Sequence, residues 1–145
     1  MPTDGVVVAW CVPADTIEDD LTHITLNYFN EPSLGRLEFL LVRYAETNSS
    51  FYVHFTGAGE LGNAVVSFVG LGRSPHLEQL KRSVDDVSPD LSPYSPWLPH
   101  MSWWYDDEGF DKPNLDELQL VRSVLVTGVG FIMTGAELSR NFLLQ

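Results

Sequence analysis

The sequence carries one short pattern twice: a histidine, an apolar residue, a hydroxyl residue and a second apolar residue. The first copy is His23-Ile24-Thr25-Leu26, and the second is His100-Met101-Ser102-Trp103. Successive side chains of an extended strand point to opposite faces, so each copy would place an imidazole and a hydroxyl together on one face. The pattern therefore predicts two strands that are apolar on one side and able to bind a phosphate and move protons on the other. We expect the fold to bring these two faces together.

The rest of the chain predicts strands and helices in two comparable halves. Besides the two motif strands, 22–29 and 99–105, the predicted strands are 6–12, 50–56, 64–69, 120–126 and 129–133. Apolar residues at three- and four-residue spacing predict helices over about 33–45 and from Ser74-Pro75 to Val87, the latter with a capping hydroxyl. Glycines in 57–62 are predicted to turn the chain, and Thr127-Gly128 to close a hairpin. The last ten residues are ambiguous.

Length and composition favour an ordinary intracellular domain. A chain of 145 residues can build its own core, which predicts a single domain over 1–145. The one cysteine, Cys11, lies in an apolar run, where a buried structural thiol is expected. No apolar run approaches the roughly 20 residues that span a bilayer, and no basic stretch leads into a signal-peptide core. These features predict a soluble, cytoplasmic protein with no membrane partner.

The charge balance restricts the partners. Eight basic and 20 acidic residues give a net charge of −12, which argues against binding to long nucleic acid. A small phosphorylated ligand remains compatible, because a few local donors can hold one or two phosphates. The acidic segments 15–20 and 106–108 would repel polyanions and so favour a small nucleotide or short oligonucleotide. The oligomeric state cannot be read from the sequence.

The motif pair resembles that of the two-histidine (2H) phosphoesterase superfamily, which includes the bacterial RNA 2',3'-cyclic phosphodiesterases once called 2'-5' RNA ligases. The resemblance is carried by residues 22–29, by Pro99-His100-Met101-Ser102-Trp103, and by the glycine-punctuated strand 51–62 between them. It covers roughly residues 6–132 in order and spacing. It implies an α+β fold: a bilobal, pseudo-symmetric arrangement of two antiparallel sheets with outer helices, whose motif strands face a central cleft.

The resemblance also implies a catalytic set of His23, Thr25, His100 and Ser102. Cleaving a phosphodiester needs a base, an acid and donors to the charged phosphoryl oxygens. Two imidazoles on opposite sides of the phosphorus would divide the first two tasks, with the hydroxyls donating to the non-bridging oxygens. No metal or other cofactor is required. Which histidine is the base depends on the bond that is cut, and the assignment stays open at this point.

The expected function is therefore that of a metal-independent phosphodiesterase, a hydrolase, acting on a small cyclic nucleotide or short oligonucleotide. The substrate bond would be a 2',3'-cyclic phosphate, a 2'-5' linkage or a bond in a cyclic oligonucleotide signal, the last being used by some bacteriophage members of the superfamily against host immunity. The alternative is a non-catalytic nucleotide-binding module on the same fold. Two intact histidine motifs favour the enzyme, because a binding module has no need for two proton-transfer groups.

Other residues leave alternatives open. Members of the superfamily often carry a basic residue shortly after the second motif, whereas here Trp104, Tyr105 and Asp106 follow. Trp104 and Tyr28 are candidates for stacking on a nucleobase, against the simpler interpretation that they pack within the fold. His54-Phe55-Thr56 also matches the pattern, so His54 is either a polar residue on a half-exposed strand or a third histidine in the cleft. His76 is expected on the surface. Further phosphate donors among the basic residues are Arg36, Arg43, Arg73 and Arg122.

Overall fold

A computed structural model describes residues 4–13, 22–61, 64–69, 74–92, 97, 100–105, 123–134 and 138–145. The strands are β1 (Gly5–Pro13), β2 (Thr22–Phe29), β3 (Phe51–Leu61), β4 (Ala64–Val69), β5 (His100–Tyr105), β6 (Ser123–Met133) and β7 (Leu138–Leu143). The helices are α1 (Leu34–Thr47), preceded by a 3-10 turn at Glu31–Ser33, and α2 (Pro75–Val87). The predicted α+β class is confirmed, and β2 and β4 have the bounds that the sequence predicts.

The strands form a curled antiparallel sheet in the order β2-β1-β6-β3-β4-β5. Strand β7 pairs with residues 128–133 of β6, on the edge opposite to β1. The long strand β3 joins two parts: Phe51 to His54 pair with β6, and Phe55 to Leu61 pair with β4. Although β2 and β5 stand at opposite ends of this order, they are in contact with each other. The sheet therefore curls until its two ends meet, and those ends are the two motif strands.

The core lies between one face of the sheet and the two helices. Helix α1 buries Leu37, Leu41 and Ala45, while α2 buries Leu77, Leu80 and Val84, and all six belong to one apolar cluster. From β2 this cluster receives Ile24, Leu26 and Phe29. Because both helices cover the same face, the other face, which carries His23 and Thr25, is left for a site.

One predicted hairpin is wrong. Residues 123–133 form the single strand β6, and Thr127-Gly128 lies inside it, at an irregularity where Trp10 pairs with Gly128 but Cys11 pairs with Val126. Gly128 serves a close approach instead of a turn, because a β-carbon there would crowd the side chain of Asn141 and lie 3.1 Å from the carbonyl oxygen of Phe142 in β7. The ambiguous last residues provide that seventh strand.

The glycines of 57–62 also differ from the prediction. Strand β3 continues through Gly57 and Gly59 to Leu61, with a register irregularity between Phe55 and Gly57 in place of a turn. The predicted helix start at Ser74-Pro75 is confirmed, but the Ser74 side chain makes no capping hydrogen bond. The turn predicted near Leu115 lies outside the described residues. Among the residues that are described, neither helix is long and apolar enough to cross a membrane.

Cys11 has the environment that the sequence predicts. The residue is fully buried in the core cluster, and burial raises the pKa of its thiol to about 12. A thiol that stays protonated is a poor nucleophile and a poor metal ligand. Cys11 is therefore a packing residue.

Candidate active site

His23 lies on β2 on the face away from the helices, half-buried beneath an aromatic ring. It pairs across the strands with Trp10 of β1, and the two rings meet edge to face with centroids 5.6 Å apart and an angle of 69° between their planes. Trp10 is itself fixed, because its indole Nε1 donates a hydrogen bond of 2.7 Å to the carbonyl oxygen of Arg140 in β7. The imidazole therefore has a rigid neighbour on one side.

His100 begins β5, at the other end of the strand order, yet it acts on His23. The pKa of His23 is lowered from its ordinary value, first by burial and second by the charge of His100. Burial disfavours the charged imidazolium, and a nearby positive charge disfavours it further. His100 thus lies near enough to His23 to lower its pKa, across the line where the two ends of the sheet meet.

Thr25 lies on the same face of β2 as His23, and Tyr28 follows a register irregularity in that strand. Both are half-buried, and the backbone carbonyl of Thr25 accepts a hydrogen bond of 3.2 Å from Trp97 Nε1. Tyr28 donates its backbone N–H to Asp90 Oδ1 at 2.9 Å and accepts at its carbonyl from the N–H of Leu91 at 3.0 Å. The segment that follows α2 therefore runs along β2, immediately beside the candidate site.

Ser102 and Trp104 belong to β5, whose backbone is described. The strand is regular from His100, opposite Phe68, to Ser102, opposite Val66, and an irregularity follows before Trp104, opposite Val65. The side chains of Ser102 and Trp104 lie outside the described part of the structure. Their predicted roles remain predictions.

The other two histidines stand apart from this pair. His54 is exposed on β3, and with β1 and β6 between β3 and β2 it is about 14 Å from β2 along the sheet, three strand spacings away. His76 is exposed on α2, as expected, and its ring stacks on Phe51 with centroids 5.2 Å apart.

The structure describes two of the four arginines that the sequence offers as phosphate donors. Arg36 and Arg43 of α1 line a groove of about 710 Å³ between α1 and α2, together with the exposed side chain of Phe39. The helices cover the face of the sheet opposite to His23, so these two arginines are not phosphate donors of the candidate site. Arg73 and Arg122 lie outside the described residues.

Three side chains near the motif strands were not predicted from the sequence: Trp10, Lys81 and Trp97. Trp10 and Trp97 make hydrogen bonds to residues that are remote in the chain, so no local pattern reveals these two. For Lys81 the sequence does contain a local signal, because a helix that buries Leu77, Leu80 and Val84 also turns position 81 inward. A buried lysine on an apolar helix face implies a partner for its charge.

The chemistry open to this arrangement is proton transfer. A histidine whose pKa is lowered stays neutral near neutral pH and can accept a proton, while a neighbouring histidine can supply one. Within the described residues, no three His, Cys, Asp or Glu side chains are grouped as a metal site would require.

Solved structures of E. coli LigT and of a protein described as a phosphoesterase share this fold. A crystal structure of E. coli LigT complexed with 3'-AMP aligns with 100% of this chain and 97% of its own, at 17% identity and a TM-score of 0.53. The same protein complexed with NADP+ aligns with 100% of this chain and 96% of its own, at 16% identity and a TM-score of 0.53. A structure described as a phosphoesterase aligns with 100% of this chain and 97% of its own, at 16% identity and a TM-score of 0.56.

Comparison of sequences, in contrast to comparison of structures, gives no match. No family model matches the chain, and no curated protein sequence matches it. The similarity therefore lies in the path of the backbone, which extends over essentially the whole of both chains. The resemblance predicted from the two motifs is confirmed at the level of structure: the chain has the fold of LigT, a 2H phosphoesterase.

Proposed function

We propose that the protein is a phosphodiesterase of the 2H type that hydrolyses a phosphodiester in a small nucleotide or short oligonucleotide. The observation that carries the proposal is the electrostatic coupling of His23 and His100, one from each motif, at the place where the two ends of the sheet meet. A LigT-like fold supports phosphoester chemistry, and the paired imidazoles supply the two proton-transfer groups that it needs.

Within this proposal, the lowered pKa of His23 supports its role as the base. His23, neutral at neutral pH, accepts a proton from the attacking water as its oxygen bonds to phosphorus. His100, on the other motif strand, donates a proton to the leaving oxygen as the P–O bond breaks. The lowering of the His23 pKa by burial and by the charge of His100 fits a division into one base and one acid.

The remaining roles follow from position on the motif strands. Thr25 lies two residues beyond His23 on the same face of β2, and Ser102 has the equivalent place on β5. Their hydroxyls would donate to the non-bridging oxygens, where negative charge increases in the transition state. Tyr28 and Trp104 are proposed to contact the base, where each stacked ring contributes about 1–3 kcal/mol.

Two observations favour a small substrate. LigT has been crystallised with 3'-AMP, ATP and NADP+, which share an adenosine phosphate. The net charge of −12 opposes the approach of a long polyanion. A 2',3'-cyclic mononucleotide, a 2'-5' dinucleotide and a cyclic oligonucleotide all fit these limits.

The test is a panel of these three substrate types, incubated with the protein in the presence of a chelator. We expect turnover of at least one, and a loss of about 10²–10⁴-fold in His23→Ala and in His100→Ala. His54→Ala, an exposed histidine on the same sheet, is the matched control and should keep full activity. Activity that survives in both single variants would overturn the mechanism, while binding without turnover would identify the non-catalytic module.

A further inference from the structure

A group of polar and aromatic side chains joins β2 to α2 and to the segment that leads into β5. We call this group the joint; it consists of Asn27, Lys81, Asp85, Asp90 and Trp97. It lies where the two ends of the curled sheet meet, on the side of β2 that is not paired with β1.

Lys81 is the centre of the joint. Lys81 is only 7% exposed, and its Nζ lies 2.9 Å from Asp85 Oδ1 and 2.7 Å from Asp90 Oδ2. The same ammonium group stands 5.4 Å from the ring centroid of Trp97, in the range of a cation–π contact. A buried ammonium is tolerated when it is paired and hydrogen-bonded, and here two carboxylates and one aromatic face provide this.

Each partner of Lys81 in turn holds β2. Trp97 donates to the carbonyl of Thr25 at 3.2 Å, and Asp90 accepts from the backbone N–H of Tyr28 at 2.9 Å. Asp85 accepts from Asn27 Nδ2 at 2.8 Å, and the same nitrogen donates to the carbonyl of Ser88 at 2.8 Å. The first motif strand is thus attached at three successive points to groups that converge on one cation.

The joint also reaches the second motif. Trp97 stands three residues before His100 in the chain, and its indole bridges from Lys81 to Thr25. Trp97 thus links the first motif strand and Lys81 to a point in the chain close to the second motif.

We propose that Lys81 is a positioning residue that sets the separation of His23 and His100 by holding Trp97 and Asp90 against β2. The residue touches neither histidine and acts through the joint. Its consequence for catalysis rests on the proposed function, whereas its effect on the distance between the histidines does not.

The experiment measures that distance through the coupling of the two imidazoles. We define the coupling as the rise in the pKa of His23, followed by NMR titration, when His100 is replaced by Asn. Lys81→Met keeps the length and apolar stem of the side chain and removes its charge. Arg82→Met removes the neighbouring, exposed cation of the same helix and is the matched control.

We expect the coupling in Lys81→Met to fall to half of the wild-type value or less, because charge interactions weaken with distance, and Arg82→Met to leave it unchanged. Full wild-type coupling in a folded Lys81→Met protein would overturn the proposal. If Lys81→Met does not fold, Trp97→Phe decides, since it keeps the ring under Lys81 and removes the hydrogen bond to Thr25. Reduced coupling there supports the proposal, and unchanged coupling refutes it.

Activity provides the second measurement. With a substrate found in the panel, Lys81→Met should lower kcat by about 10–100-fold while KM changes by less than about twofold, because misplaced catalytic groups affect the chemical step. A protein that turns over no substrate would remove the proposed function and still allow the coupling test. The two proposals therefore fail separately.

Discussion

The ring of Trp10 meets the ring of His23 edge to face across β1 and β2, with 5.6 Å between centroids. This contact removes water from one side of the imidazole, and burial is the larger of the two causes that lower the pKa of His23. The indole of Trp10 on β1 therefore contributes to the lowered pKa of the histidine on the adjoining strand.

Removing that ring should raise the pKa of His23. In Trp10→Ala, water gains access to the imidazole and the pKa moves up towards its ordinary value of about 6.5. Trp10→Phe keeps an aromatic edge and should shift it less, although it loses the hydrogen bond to Arg140. NMR titration of His23 measures both, with Tyr52→Ala, an exposed ring on β3, as the control. An unchanged pKa in Trp10→Ala would show that the indole does not control solvation of His23.

Stability should depend on pH through the same histidine. The folded-state pKa of His23 is lower than its unfolded value, so the unfolded chain takes up the proton first as the pH falls. The contribution of His23 to the free energy of unfolding is therefore full above about pH 6.5 and is lost progressively as the pH falls to the folded-state pKa. Urea unfolding of the wild type and of His23→Gln should show a difference in the free energy of unfolding that changes over this pH interval.

Asp90 should give a second effect at lower pH. Burial alone would raise the pKa of Asp90, but hydrogen bonds from Lys81 and from the N–H groups of Tyr28 and Ser92, with the charge of Lys81, lower it overall. Its contribution is then present above the unfolded value of about 3.9 and is lost as the pH falls through the folded-state pKa.

The isosteric variant Asp90→Asn isolates this effect. At neutral pH it should be less stable than the wild type by about 2 kcal/mol, the usual scale for hydrogen bonds to charged groups. The difference should shrink below about pH 4, where the carboxyl of the unfolded chain takes up a proton first and the folded-state carboxylate follows at lower pH. Urea unfolding at pH 7 and pH 3 measures it, and an equal difference at both would contradict the role given to the charge.

Two glycines should respond in opposite directions to alanine. A β-carbon at Gly130 would overlap the carbonyl oxygen of Arg140 and lie 3.0 Å from Trp10 Nε1, so Gly130→Ala should destabilise the protein by about 1–3 kcal/mol. At Gly35 in α1 no atom lies within 4 Å of the added carbon, and Gly35→Ala should stabilise it by about 0.5–1 kcal/mol. Thermal unfolding of both variants is the measurement, and a Gly130→Ala protein as stable as the wild type would refute the close approach of β7.

Local patterns predicted the elements that depend on local chemistry. The alternation through Thr22–Phe29 marked β2, and the spacing of Leu37 and Leu41 marked α1. The prediction of a turn at Gly128 was wrong because the sequence cannot distinguish a glycine that lets a neighbouring strand approach closely from a glycine that forms a turn. The neighbour is Asn141 of β7, and no sequence pattern indicates that pairing.

The residues of the candidate site were likewise predicted only in part. The motifs identified His23 and His100 because both belong to short strands with a readable alternation. Trp10 and Trp97 were missed because each acts through a contact across the fold, to His23 and to the Thr25 carbonyl. Pairing across the sheet decides such contacts, and the sequence specifies it only through the complete fold.

The meeting of β2 with β5 has a consequence for how the molecule assembles its candidate site. These strands occupy the two extremes of the strand order, so every intervening strand must be in register before the histidines become neighbours. Such distant pairings form slowly compared with local structure. A nascent or partly assembled chain therefore lacks the pairing of His23 with His100, which forms only when the two ends of the sheet meet.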